Sequence, residues 1–501
     1  MSRTENAIKI VAASIIQQII IVICGLILPP LIILTFGSEV NGLVSTIKQM
    51  LTYFNVVSLG IGASCQVALY KPLANKDYEI VNGVLGATRI FFNKTGYVYT
   101  ALIIGFAIVF PLVTTSKLTI MHIASVIIIT GAGSVCEYIF VSKYKILLVA
   151  DQKQYIVSKI QTEGTIVNTV ASVAMIYLGA DIVIVQLIAT LVYILRLLQI
   201  KRYIKKNYSY ANFHTQPRFD LIKNRWQAFA FQISDMIISY TPIILTATII
   251  SLTEASIYSV YNMIFSSLSM IIGVFSSGFA PTFGNLMAEK DDTKLEKAYR
   301  TFNFVYNLMA FWATTCAMVL ICSFVSVYIT DTKGINYVIP SLAVLFSLQS
   351  LFRNIRTPSN TIVQAAGRFK DNQIPNLVEA GLNVLLAIIL GKFWGLEGII
   401  LSGVITGGVR SLIFIWYSSK KIIGNSPFKD YLIIVADTVI MFAIYFFIKI
   451  PDVNNYFQWF LQGIKVALIS AAAFIVVNGM LDSKAALDAF HRFKTILTKR
   501  R

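Results

Sequence analysis

Charge is the scarcest commodity in this 501-residue sequence: Asp, Glu, Lys and Arg together make up 13% of it, against about 25% in soluble globular chains. That shortage excludes an ordinary water-facing surface, and 56% hydrophobic residues with a mean hydropathy of +0.71 point to lipid as the solvent. Cysteine is also sparse. All five (Cys24, Cys65, Cys136, Cys316 and Cys322) fall inside apolar runs, which excludes a disulfide scaffold and leaves no thiol pair at metal-ligand spacing. The three histidines, His122, His214 and His491, lie far apart, and there is no P-loop, GxSxG or HExxH motif. Neither an enzymatic centre nor a resident cofactor or metal is expected. Acidic residues number 24 against 42 basic ones, giving a net charge of +18. In a polytopic protein basic residues collect on the cytoplasmic side, so this excess does not call for nucleic acid.

What is present is a succession of apolar windows bounded by charges, Gly, Pro or Asn. The first, 8–35, is too long for a signal-peptide core and lacks a small-x-small cleavage site, so it reads as a retained helix. Thirteen more follow, at 43–68, 92–113, 119–141, 156–178, 181–200, 226–250, 255–283, 302–328, 337–357, 376–393, 396–418, 429–448 and 457–479. At about 20 residues per crossing, fourteen helices leave only short connections. With the N-terminus inside, the inside segments hold 34 Lys/Arg and the outside four, Lys117, Lys333, Lys392 and Lys449. A split this lopsided supports the helix count and places both termini in the cytoplasm.

One offset of 216 residues joins Gly62 to Gly278, Ala150 to Ala366, Glu163 to Glu379 and Gly179 to Gly395. An even number of helices per repeat means halves of the same topology. The expected organisation is an N-lobe at 1–200, a basic cytoplasmic linker at 201–225, a C-lobe at 226–418, two extra helices in 419–479 and a basic cytoplasmic tail at 480–501.

Three helices carry polar stripes at helical spacing. Helix 2 has Ser45, Lys48, Thr52, Asn55, Ser58, Gly62 and Gln66; helix 7 has Gln232, Asp235, Ser239, Pro242 and Thr246; helix 8 has Ser259, Asn262, Ser266, Ser269, Gly273 and Ser276. Small residues also pack membrane helices together, but that does not account for Lys48, Asn55 or Asp235. One shared polar cavity is expected. Ionisable groups within the spans are few: Lys48, Arg196, Arg353, Arg356, Arg410 and Lys465 against Glu137, Glu163, Asp235, Glu379 and Asp437. Each is by default functional or paired. Arg353, Arg356, Asn360 and Gln364 form a donor-rich stripe suited to phosphate, unless the two arginines simply end helix 10 at the membrane surface. Arg196 and Lys465 could snorkel to an interface. Glu163 and Glu379, near the inner ends of equivalent helices, suit a structural place at a helix N-terminus.

The segment FGSEVNGLVSTIKQMLTYFNVVSLGIGASCQVALYKPLANKD resembles the opening of bacterial polysaccharide flippases, the lipid-linked oligosaccharide exporters of the multidrug/oligosaccharidyl-lipid/polysaccharide superfamily. ASIYSVYNMIFSSLSMIIGVFSSGFAPTFGNLMAEKD and VADQKQYIVSKIQTEGTIVNTVASVAMIYLGAD have the same cast. The resemblance implies two six-helix lobes, a central cavity lined by helices 1, 2, 7 and 8, and export of an undecaprenyl-diphosphate-linked repeat unit by alternating access, alongside a polysaccharide polymerase and glycosyltransferases. Helix 1 departs from related peptidoglycan-precursor flippases: it carries Ser14, Gln17 and Gln18 and no arginine. Candidate substrate contacts are therefore Lys48, Asn55, Arg353 and Arg410, followed by Arg89 and Arg356. Asp235 and Glu163 are candidates for coupling to H+ or Na+, or for counter-charge. An ion-coupled multidrug antiporter of the same fold is the alternative.

Overall fold

The computed structural model describes residues 3–498 apart from 59, 223–226, 277–278, 290 and 331–333, so Gly278 and Lys333 lie outside the described residues. All regular structure among the described residues is helical. The contacts divide the chain into two units, 1–257 and 258–501.

The first unit contains α1 (Arg3–Phe36), α2 (Ser38–Phe54), α3 (Ile61–Asn75), α4 (Tyr78–Val113), α5 (Ile120–Cys136), α6 (Ser142–Ala150), α7 (Gln154–Tyr177), α8 (Ile182–Asn207), α9 (Gln227–Leu245) and the start of α10 (Leu252–Ser276). The second holds the rest of α10, then α11 (Phe279–Ala288), α12 (Asp292–Tyr328), α13 (Pro340–Ile355), α14 (Thr357–Ala365), α15 (Phe369–Ser418), α16 (Phe428–Phe447), α17 (Tyr456–Leu481) and α18 (Ser483–Thr498). Helix starts are written in the sequence. Asp77, Thr119, Asp181, Asp291 and Asn455 each accept a first-turn backbone N–H at 2.8–3.3 Å, the ordinary N-cap bond.

Among the described residues ten helices are long and apolar enough to cross a membrane, or eleven with the bent pair α2–α3. α15 holds two of the expected windows, because Trp394 and Gly395 leave helical geometry between them. α7 and the 16-residue α13 are the remaining two, which recovers fourteen. This is an all-α, multi-pass membrane protein. The apolar residues left exposed along α4 (Ile104, Ile108, Val109) and α17 (Leu468, Ile475, Val476) are lipid-facing in that solvent. α4 and α12, at 36 and 37 residues, are about 55 Å long against a hydrocarbon layer of about 30 Å.

The second expected window, 43–68, is not one straight helix. α2 gives way to a 3-10 turn at Asn55–Ser58 and α3 leaves at 48°. The Ser58 hydroxyl donates to the Asn55 carbonyl at 2.8 Å, offering the backbone an alternative to the helical ladder, and Gly60 has φ +81°.

Gly179 and Gly395, 216 positions apart, both adopt positive φ, +77° and +59°, where a side chain would be strained. Tyr138 bonds to Asn55 and Ser58 in the first unit, and in the second Asn354, again 216 residues on, bonds to Ser269.

Segment 201–225 is anchored where it is described. Tyr208 and Phe213 are buried with Leu85, Leu148 and Ile204, while Asn82 of α4 bonds to the Tyr210 carbonyl (3.0 Å) and the Asn212 N–H (2.8 Å). Elsewhere in the first unit α2 meets the start of α10 backbone to backbone. A Cβ at Gly42 would lie 1.7 Å from the Leu252 carbonyl oxygen, and beside it Asn41 Nδ2 donates to Ser256 Oγ at 2.7 Å.

Candidate functional site

The first unit contains an open cavity of about 630 Å³. Its walls come from the polar stripe of α2 and the following turn (Lys48, Thr52, Asn55, Ser58), from α5 and the π-helical turn after it at Glu137–Val141, and from α6, α7 and α8. The stripes of α9 and α10 do not line it.

Charge within it is uneven. Lys48, Lys145 and Arg196 line the cavity with one carboxylate, Glu137. Lys145 Nζ donates to Glu137 Oε1, while Glu137 Oε2 has no partner among the described residues. Arg196 Nη2 donates to the Gln161 carbonyl (3.4 Å) and Thr165 Oγ1 (3.3 Å), with the guanidinium 5.2 Å from the Tyr193 ring centre. Among the described residues its Nε has no acceptor, and Asn168 Oδ1 has no donor. The Lys48 side chain is exposed to the cavity.

Neutral groups are held in place around these charges. Tyr138 Oη donates to Asn55 Oδ1 at 2.7 Å and lies 3.1 Å from Ser58 Oγ. Gln17 of α1 donates to Gln161 Oε1 at 2.8 Å, so a helix 1 glutamine positions a cavity amide. The arrangement can accept an anionic group beside a surface of hydroxyls, amides and tyrosines. No group of three or more His, Cys, Asp or Glu among the described residues could hold a metal ion.

Of the residues singled out from the sequence, Lys48 and Asn55 line this cavity. Arg89 does not; its Nη1 meets His214 Nδ1. Glu163 is on α7 outside the cavity, accepting from Gln199 Nε2 at 3.0 Å with Lys159 Nζ 3.8 Å away. Asp235 is exposed on α9 and does not line it either. The others belong to the second unit. Arg353 is exposed in the last turn of α13. Arg356 Nη1 donates to both oxygens of the buried Glu379, at 2.9 and 3.1 Å. Arg410 is buried, with Nε and Nη2 on Asn376 Oδ1 (3.2 and 2.7 Å), Nη2 on Asn372 Oδ1 (3.1 Å) and Glu379 Oε2 at 3.8 Å. Arg356 through Nη1 and Arg410 through Nε and Nη2 are thus engaged within their own unit. Lys145, Glu137 and Arg196 join Lys48 as the charged groups of the cavity without having been assigned to it from the sequence.

Comparison with solved structures decides the fold. The chain is similar to a lipid II flippase, MurJ, in an inward closed conformation: TM-score 0.68, 16% identity, covering 94% of this chain and 99% of that one. It shares the fold of that structure. A multidrug resistance MATE family transporter of the MOP superfamily, inward-facing, matches with TM-score 0.64 and 14% identity over 80% of this chain and 93% of its own. The MATE multidrug transporter DinF-BH matches with TM-score 0.58, 14% identity and coverage of 83% and 97%. No family model and no curated protein matches the sequence.

Proposed function

We propose that this protein is a flippase that carries an undecaprenyl-diphosphate-linked oligosaccharide across the bacterial cytoplasmic membrane by alternating access, for cell-surface polysaccharide assembly. The observation that carries the reading is the cavity's charge: three cations against one carboxylate, itself engaged by Lys145. In a low-dielectric site an excess of fixed positive charge favours a diphosphate and repels an organic cation. About 630 Å³ falls within the range of small-ligand sites, about 300–1,000 Å³, which suits a headgroup and leaves the polyprenyl chain in lipid. The likeness to a lipid II flippase over 94% of the chain, against 80% for a multidrug transporter, supports the same side.

The test is binding to the purified protein in lipid nanodiscs. A diphosphate-linked polyprenyl sugar should bind at least about tenfold more tightly than its monophosphate counterpart, a difference of about 1.4 kcal/mol. A lipophilic organic cation should not compete. Competition by the cation with no preference for the diphosphate would replace this reading with the antiporter.

On the same reading both termini lie in the cytoplasm, in keeping with the 34-to-4 division of Lys and Arg. Cysteines introduced at the exposed positions Ser209 and Lys117, in a background without native cysteine, should label from opposite faces with an impermeant thiol reagent. Labelling from one face would overturn the orientation.

A further inference from the structure

α16 and α17 lie beyond the duplicated twelve helices and contain a carboxylate that the cavity does not use. Asp437, midway along α16, is fully buried. Its neighbours along the helix, Ile434 and Met441, belong with Phe311 and Phe474 to an apolar core that includes residues of α12, α16 and α17. Asp437 Oδ1 accepts from Asn478 Nδ2 at 2.7 Å, and Oδ2 has no partner among the described residues. An ionised carboxylate with one neutral donor is poorly compensated in such a place.

From Asp437 a file of polar groups runs to one end of the unit. Asn478 of α17 borders a cavity of about 20 Å³ that also touches Asn307 of α12 and Asp430 of α16, which is room for a single water. Asn307 Oδ1 has no partner among the described residues. Asn307 Nδ2 donates to Asn303 Oδ1 (3.1 Å), and Asn303 Nδ2 to Asp430 Oδ1 (3.0 Å), while Ser419 Oγ donates to Asp430 Oδ2 (3.2 Å). Asp430 also lines a second cavity of about 300 Å³, whose wall includes Arg300, Lys429 and Asp482. The α12 members of the file, Arg300, Asn303 and Asn307, fall on one face at helical spacing.

The charges around this file are already matched near its mouth. Asp482 pairs with Arg300 and lies 3.0 Å from Lys429. Burial would raise its carboxyl, but bonds from Arg300, the Ala485 N–H and Lys429 outweigh that and hold it below its ordinary value. Lys297 of α12 pairs with Asp488 of α18 at 3.0 Å. Cys316 of α12 faces Ser470 of α17, 3.4 Å away. Asp437 has no ion pair among the described residues.

We propose that Asp437 is a proton-binding site, loaded and unloaded from the cytoplasmic side through Asp430 and intervening water, with the Asn478 amide, which stands between Asp437 and the small cavity, as the gate. With the Asn478 amide turned aside, water from the small cavity reaches Asp437; the proton leaves the carboxylic acid for that water and passes through it to the Asp430 carboxylate, which releases it to water in the larger cavity; loading is the reverse, and nothing is oxidised or reduced. A proton fits better than a metal cation, because Asn478 presents its NH2 and not its carbonyl to the carboxylate. This role is independent of which substrate the protein moves, and only the side of loading rests on the proposed orientation.

Infrared spectroscopy of the full chain in nanodiscs tests it. Wild type should show a protonated-carboxyl band that is absent from Asp437→Asn, declines as pH is raised and shifts on transfer to D2O. Asn307→Leu, which closes the water-sized cavity, should keep the band and slow its deuterium exchange roughly tenfold, equivalent to about 1.4 kcal/mol in barrier. Should Asp437→Asn fail to fold, Asp437→Glu serves instead, because it moves the band without removing it. The proposal is overturned if no band depends on residue 437 at any pH, or if the band neither titrates nor exchanges. Unchanged exchange in Asn307→Leu would overturn the route.

Discussion

Replacing Lys48 by alanine is expected to lower affinity for a diphosphate-linked lipid about tenfold while leaving thermal stability unchanged, and Arg196→Ala to lower it by up to about a hundredfold. These sizes follow from hydrogen bonds to charged groups, about 1.5–3 kcal/mol each. The two variants differ in what else they disturb. Lys48 is exposed to the cavity, so its removal takes away charge alone. Arg196 also ties α8 to Gln161 and Thr165 of α7, so Arg196→Lys is the control: it keeps the charge and loses the planar fork, and should recover part of the affinity. Flipping of a fluorescent diphosphate-linked lipid in vesicles, alongside equilibrium binding, checks both. If Lys48→Ala and Arg196→Lys both bind as wild type does, the cavity's charge is structural and the flippase reading loses its main support.

Glu379→Gln is expected to be the most destabilising single substitution in the second unit. Glu379 is buried, receives two bonds from Arg356 and lies 3.8 Å from the buried Arg410. Removing one partner from a buried ion pair costs about 3–5 kcal/mol, because the other charge remains without water. A fall in melting temperature of the detergent-solubilised protein, with Arg356→Ala producing a smaller fall since Arg356 is only partly buried, is the expected pattern. A melting temperature equal to wild type for Glu379→Gln would mean that water compensates the arginines. Retention of diphosphate affinity in any folded fraction would set this cluster apart from binding.

Hydropathy made the crossings legible because each is a contiguous apolar run, and the charge-bounded windows reappear as helices. What it could not show was where a helix changes phase. Glu137 and Lys145 are eight residues apart, which on a regular α-helix leaves them about 80° apart in projection. The π-helical turn at Glu137–Val141 takes up an extra residue, so the pair behaves as if seven apart and falls on one face. From the sequence Lys145 reads as a loop lysine, because it lies past the end of the 119–141 window. Arg196 was obscured differently: a base near a helix end is equally consistent with snorkelling, and only the contacts with Gln161 and Thr165 turn it inward. For Arg356 and Arg410 the sequence shows a donor within a span but not its acceptors: Glu379 for Arg356, and Asn372 and Asn376 for Arg410.

The excess length of α4 and α12 divides each of them between two solvents. Roughly 25 Å of either helix extends past the hydrocarbon, with the acid-capped starts at Asp77 and Asp291 as the natural wet ends. Backbone amides there can trade hydrogens with water through local fraying, while those deeper in the same unbroken helix are shielded by lipid as well as by their hydrogen bonds. Each helix therefore carries its own depth gauge. The residue at which deuterium uptake falls away marks the height of the bilayer surface on that unit, and it would shift along the helix in a membrane of different thickness.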